Sequence, residues 1–204
     1  MSRAIGVLIS GRGSNLQAII DAIGDGRLDA RIAVVLSNRA DAYGLERARQ
    51  AGIETVVRDH KAHPSREAYE AVLVEDLRAR GVQLVCLAGF MRLLGATFVH
   101  AFPNRILNVH PALLPAFPGL HAQRQAVEHG VKVSGATVHF VDTHLDAGPI
   151  ILQAAVPVLD TDTEDTLSAR ILVQEHRLYP EAIQRILDGG WRIEGRRVVF
   201  DARR

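Results

Sequence analysis

The 204-residue sequence predicts an α/β protein built on a doubly wound, mostly parallel mixed sheet. Three observations carry this. Through the first half, short apolar runs that end in glycine or polar turns alternate with segments of helical period, the rhythm of a parallel sheet with helical crossovers. The second half runs strand, loop, strand, which adds antiparallel members. Hydrophobic residues make up 48% and charged residues 23%, an ordinary globular balance that excludes a chain disordered throughout.

The elements follow in order. Ala4-Ile5-Gly6-Val7-Leu8-Ile9 is a continuous apolar run closing on Ser10-Gly11, as in a strand buried on both faces. Leu16, Ile19, Ile20 and Ile23 then recur at helical spacing, and glycines 24 and 26 stop the helix. Residues 32–36 form the second strand, Tyr43–Gln50 the second helix, and 53–57 the third strand. Pro64-Ser65-Arg66-Glu67 opens a long helix to about residue 80, and a strand follows over 82–88. Right-handed crossovers between these units make the N-terminal half Rossmann-like. Residues 105–110 are strand-like, after which Pro111, Pro115, Pro118 and Gly119 make an irregular loop. Residues 133–141 and 149–158 read as two more strands. A long helix is expected over 163–187, with Thr163 and Asp165 as cap candidates. The stretch 191–200 reads as a hairpin turning at Glu194-Gly195. We expect one domain over 1–204, with two lobes divided near residue 100.

Composition narrows the function. Lys and Arg number 24 against 23 Asp and Glu, a net charge of +1. No global field draws the chain to nucleic acid or an anionic membrane. Lys61 and Lys132 are the only lysines, so Schiff-base candidates are few, and the many arginines favour forked recognition of phosphate or carboxylate. Cys86 is the only cysteine; it excludes an internal disulfide and a Cys-based zinc site, and its apolar surroundings make it a core residue. No apolar run approaches the roughly 20 residues of a membrane span. The expectation is a cytoplasmic protein with small-molecule substrates and no nucleic-acid or membrane partner, as a monomer or weak homodimer. The tail arginines Arg196, Arg197, Arg203 and Arg204 are expected to form a solvated, frayed terminus.

Three constellations carry chemistry. Ser10-Gly11-Arg12-Gly13-Ser14-Asn15 lies between the first strand and the first helix, where glycines admit a ligand to the backbone and helix amides face an anion. No Gly-Lys-Ser/Thr follows, and Leu16 replaces the third glycine of the dinucleotide fingerprint, so a single phosphate fits better than a pyrophosphate. Asn108-Val109-His110-Pro111 ends a strand; residues two apart share a face, and an amide beside an imidazole suits a developing oxyanion. Asp146 sits in a tight loop, Asp142-Thr143-His144-Leu145-Asp146-Ala147-Gly148-Pro149. A carboxylate brought near His110 would favour the charged imidazole. His139, His144 and Asp146 could also be read as metal ligands, but their spacing is poor for a metal site and none is expected. No Gly-x-Ser-x-Gly elbow is present, so attack of one substrate directly on another fits better than a covalent intermediate.

Together with Ala88-Gly89-Phe90-Met91-Arg92-Leu93-Leu94, Asn108 to Pro115 and Pro118-Gly119-Leu120-His121, these segments resemble the phosphoribosylglycinamide formyltransferases, folate-dependent enzymes of purine synthesis. The resemblance runs in order from about residue 4 to 190. It implies the formyltransferase fold, a lobe over 1–100 that binds the nucleotide's phosphate, and a lobe over 101–204 for catalysis and folate. It also implies 10-formyltetrahydrofolate as formyl donor and the glycinamide amine as acceptor. Asn108, His110 and Asp146 align with a catalytic trio, and Gly13, Ser14 and Asn15 with the phosphate loop. Arg66, Met91, Arg92, Leu93, Leu94 and Asn108 align with folate contacts, as do Asp142, Thr143, His144, Leu145 and Asp146. Leu172, Val173, Gln174 and Glu175 align with contacts to the nucleotide. Arg12 replaces an expected asparagine and Leu172 an expected polar contact. Methionyl-tRNA formyltransferase and formyltetrahydrofolate hydrolase are related readings, but each carries an added domain for which this sequence has no room. A folate- or phosphosugar-binding module without activity is the reading from another class.

Overall fold

Six consecutive apolar residues leave a strand no water-facing side, and β1 (Ala4–Ile9) is buried at every position. A computed structural model describes residues 3–201 of the chain. It divides into two compact units, Met1–Asn108 and Val109–Arg204, so the division falls at residue 108 rather than near 100. The shift has a simple cause: most of β5 (Ile106–His110) pairs in parallel with β4 (Leu84–Leu87) of the first unit.

In that first unit, β1 lies between β2 (Arg31–Ser37) and β4, and β3 (Thr55–Val57) extends the sheet beyond β2. The order is β3-β2-β1-β4-β5, all parallel. The helices α1 (Ser14–Gly24), α2 (Tyr43–Gln50) and α3 (Arg66–Ala79) are the crossovers. Leu16, Ile19 and Ala22 are the buried apolar residues of α1, whereas Ile20 and Ile23 of the predicted stripe are only half-buried. Ser65 caps α3 by accepting a hydrogen bond from the Ala68 amide, as the Pro-Ser-Arg-Glu start requires.

An ion pair ties the end of β3 to α3. The Arg58 guanidinium donates through Nε to Asp76 Oδ2 at 2.7 Å and through Nη2 to Oδ1 at 3.0 Å. That pairing, which outweighs the cost of burial, holds the Asp76 carboxyl below the usual carboxylate range. A group lowered by folding stabilises only while ionised, so its contribution is complete above about pH 4 and is lost as pH falls through the lowered value. Asp76→Asn is therefore expected to destabilise the protein by about 2 kcal/mol at pH 7, with the gap shrinking towards pH 2. Urea unfolding at the two pH values measures it, and an equal gap at both contradicts this role.

In the second unit, β6 (Val133–Phe140) pairs antiparallel with β7 (Ile150–Pro157). Strand β9 (Arg197–Phe200) runs parallel to β7, and β8 (Trp191–Glu194) antiparallel to β9. The order is β6-β7-β9-β8, the mixed arrangement expected of strands joined by loops. The helix α6 (Glu164–Asp188) packs on β6 and β7. Thr163 caps it in a reciprocal box with Thr166.

Several expectations are corrected. Two short helices, α4 (Ala96–Ala101) and α5 (Ala122–Glu128), and a 3₁₀ turn at His60–Ala62 were not predicted; segments of three to seven residues are too short to display a period. The third strand starts at Thr55, and the hairpin turns at residues 195–196. Arg196 and Arg197 are not frayed: Arg196 donates to the Ala147 carbonyl at 2.8 Å, and Arg197 opens β9. Arg203 and Arg204 lie outside the described residues. Cys86 is fully buried in β4, as expected. Among the described residues no helix is long and apolar enough to cross a membrane.

Candidate active site

The glycine-rich loop of the first unit has its shape dictated by backbone contact. Gly13 precedes α1 with φ of 70°, and a Cβ there would stand 2.6 Å from the Gly44 Cα. Only glycine meets both conditions. The Gly44 amide donates to the Gly11 carbonyl, and Arg47 Nε to the Arg12 carbonyl at 2.9 Å, so α2 braces the loop from behind. Arg12 itself is exposed, which explains how the loop accepts it. Ser14 and Asn15 form the first turn of α1.

Ser10, which sequence reasoning gave no role of its own, joins three strand ends. Its hydroxyl donates to Asn38 Oδ1 at 2.6 Å and accepts from the Met91 amide at 2.8 Å. The segment 91–94 is thereby held beside the phosphate-loop candidate. Met91 and Leu93 are 67% and 64% exposed, an unusual display of large apolar side chains for residues pinned so firmly at the backbone. Arg92 is exposed and Leu94 half-buried. Burial pushes the hydroxyl of nearby Tyr69 up to about 12, against the opposing charge of Arg92; it remains a neutral donor. Arg66, half-exposed on α3, lies 3.6 Å from the buried carboxylate of Glu70.

In the second unit, the structure brings His110 and Asp146 together. His110 Nδ1 is 3.4 Å from Asp146 Oδ2, with both side chains largely buried. The other ring nitrogen, Nε2, is 2.8 Å from the Phe117 carbonyl oxygen. A carbonyl only accepts, so Nε2 carries a proton, and Nδ1 is the nitrogen facing Asp146. Asp146 Oδ2 also accepts from the Gly119 amide at 2.8 Å. Asp146 adopts φ of 47°, an uncommon conformation for a non-glycine residue and one that clusters at functional sites. Two residues later, a Cβ on Gly148 would lie 1.8 Å from the Phe140 carbonyl oxygen; the tight loop admits only glycine there.

The second oxygen of Asp146 faces another imidazole that sequence reading considered only as a metal ligand. His139 Nε2 is 3.7 Å from Asp146 Oδ1. Its Nδ1 donates to the Phe140 carbonyl at 2.8 Å, and burial lowers its pKa, so His139 is neutral with its lone pair on Nε2. It lines the carboxylate without competing for its charge. Among the described residues no group of three or more His, Cys, Asp or Glu side chains is arranged to hold a metal ion.

The loop after β5 hangs on Thr137, also unforeseen. Its buried hydroxyl donates to the Ala112 carbonyl at 2.6 Å and accepts from the Leu114 amide at 3.0 Å, with Gln153 Nε2 bonding the same hydroxyl and the Leu114 carbonyl. Thr137→Val keeps the shape and orphans buried backbone groups, so a loss of about 1–3 kcal/mol is expected. A thermal midpoint unchanged from the wild type would show that the hydroxyl does not hold the loop.

Asn108 is half-buried two residues before His110 on β5. Asp142 Oδ1 accepts from the His144 amide, while Thr143, His144 and Leu145 are exposed. Leu172, Val173, Gln174 and Glu175 lie on one turn of α6, with Glu175 buried and Val173 exposed.

A family model described as formyl transferase matches residues 3–183. The chain belongs to the formyl transferase family. Within that family it is 49% identical to the phosphoribosylglycinamide formyltransferase of Escherichia coli strain K12, over 97% of this chain and 93% of the relative. It is 51% identical over 92% of its length to the trifunctional purine biosynthetic protein adenosine-3 of Drosophila melanogaster, but spans only 14% of that relative. Among solved structures, it matches glycinamide ribonucleotide transformylase 1 from Symbiobacterium toebii at a TM-score of 0.96 and 63% identity, covering 98% of this chain and 95% of that one. The family's fold is therefore the fold of this chain, including its predicted mixed α/β class.

Proposed function

We propose that this formyl transferase moves the formyl group of 10-formyltetrahydrofolate to the glycinamide amine of N1-(5-phosphoribosyl)glycinamide, a step of purine synthesis in the cytoplasm. The observation that carries this reading is the His110–Asp146 pair: Nδ1 faces the carboxylate while the Nε2 proton already meets a carbonyl oxygen at 2.8 Å. In this reading the formyl oxygen competes with the Phe117 carbonyl for that Nε2 proton.

The amine nitrogen attacks the formyl carbon and the carbonyl π pair moves to oxygen, where the Asn108 amide and the His110 Nε2 proton receive it. Asp146 faces Nδ1 and keeps the ring oriented, its own Oδ2 held by the Gly119 amide. The oxyanion then collapses, the new C–N bond remains, the bond to folate N10 breaks, and the amine's proton passes to that nitrogen. The Gly13-Ser14-Asn15 loop holds the nucleotide's phosphate, with Leu172, Val173, Gln174 and Glu175 completing the nucleotide contacts. Exposed Met91 and Leu93 with Leu94 cover the pterin, Arg66 and Arg92 meet the glutamate tail, and Asp142, Thr143, His144 and Leu145 close on the folate.

The test is turnover with three acceptors: phosphoribosylglycinamide, water and methionyl-tRNA. Transfer to the first alone is expected; preference for either of the others would overturn the assignment. Because the donor is already activated, no metal-bound water has to be generated, and activity is expected to survive chelation. Loss on chelation, restored by one divalent ion, would contradict this.

A further inference from the structure

We infer that Glu70 and Gly95 are positioning residues for folate: they set the Arg66 guanidinium at the end of the segment 91–94. The inference rests on the proposed role of Arg66 toward the glutamate tail and names what gives that arginine its place. Glu70 is a carboxylate in the middle of α3 and only 1% exposed. A buried carboxylate needs partners, and this one has three. Oε1 accepts from the Gly95 amide at 2.6 Å, and Oε2 from the Phe98 amide at 3.2 Å. Both amides belong to the start of α4, so Glu70 caps from outside a helix whose own preceding residue, a glycine, brings no capping side chain. The third partner is Arg66, one turn earlier on α3, with Nε 3.6 Å from Oε1.

One carboxylate thus fixes the backbone directly after Leu94 and an arginine side chain together. The Ser10 hydroxyl holds the other end of the same segment through the Met91 amide. Gly95 supplies the space. A Cβ on it would stand 2.7 Å from Arg66 Nη2 and 3.0 Å from Cζ, so the guanidinium lies flat over the glycine where any other residue would put its side chain. Gly95 has φ of −90°, which alanine adopts freely; its glycine identity is explained by Arg66 and not by backbone strain.

Gly95→Ala is consequently a clean perturbation. The clash falls on the far end of a flexible side chain, which swings away while the backbone stays. Tetrahydrofolate and tetrahydropteroate, which differ only by the glutamate, are the probes. Gly95→Ala is expected to weaken tetrahydrofolate binding about fivefold, the weight of one exposed charge contact. Tetrahydropteroate affinity, kcat and the nucleotide KM should stay near wild type. In an Arg66→Ala background the same substitution should add nothing. Glu70→Gln, which keeps an acceptor for the shorter bond from Gly95 and gives up the charge and the longer bond from Phe98, should reproduce the selective loss. If Arg66→Ala weakens tetrahydrofolate binding and Gly95→Ala does not, or if the two losses simply add, the positioning role is wrong. If Arg66→Ala itself leaves tetrahydrofolate binding unchanged, the assignment of Arg66 to the tail fails, and the inference with it.

Discussion

His110→Ala is expected to lower kcat at least about 100-fold while leaving both substrate KM values near wild type. The Nε2 proton is one of two donors proposed for the oxyanion, and losing such a donor costs on the order of 3 kcal/mol of barrier. Asn108→Ala removes the other and should cost as much. Asp146→Ala should match them, because the carboxylate faces Nδ1 at 3.4 Å and is held by the Gly119 amide. Asp146→Asn separates the two contributions: its amide oxygen can still accept from Gly119, so the loop keeps its shape while the charge facing both imidazoles is gone. Steady-state kinetics on the four variants decide the matter. Turnover near wild type in any alanine variant would remove that residue from the chemistry.

Gly13→Ala should strike the other substrate. At φ of 70° a side chain costs roughly 1–2 kcal/mol, and its Cβ would sit 2.6 Å from the Gly44 Cα, a backbone atom that cannot swing aside. The loop or α2 must shift. A displacement of this size in a positioning loop is expected to raise the KM for phosphoribosylglycinamide about tenfold or more, with tetrahydrofolate binding intact. Equal losses for both ligands would assign Gly13 to general folding.

Much of the first unit was legible in the sequence because β1, β2 and β4 are buried on both faces. An unbroken apolar run such as Ala4–Ile9 has few other uses, and the glycines after it mark the turn. The helix Tyr43–Gln50 was read to its exact ends. Short α4 and α5 were not legible, since fewer than two turns display no stripe. The site divides in the same way. Asn108 and His110 share a strand, so their common face follows from spacing. The meeting of His110 with Asp146 does not; the resemblance supplied it, and the fold of the second unit realises it. Phe117 and Thr137 received no role from the sequence, and Gly119 and His139 not the one they have, because each acts through a loop path or a cross-strand neighbour that local pattern does not encode. His139 had a signal, an imidazole between Val138 and Phe140 on β6 and close to Asp146 in sequence. Glu70 had one too, as an acidic residue among the apolar positions of α3.

The account's central claim is direct transfer from folate to amine, and a single-turnover experiment with donor labelled in the formyl carbon tests it. With phosphoribosylglycinamide present, the label should appear in the nucleotide at the rate tetrahydrofolate forms. Without it, the label should stay on the donor and the protein should remain unlabelled. Label bound to the protein, or released as formate at a comparable rate, would contradict direct attack and require a different mechanism.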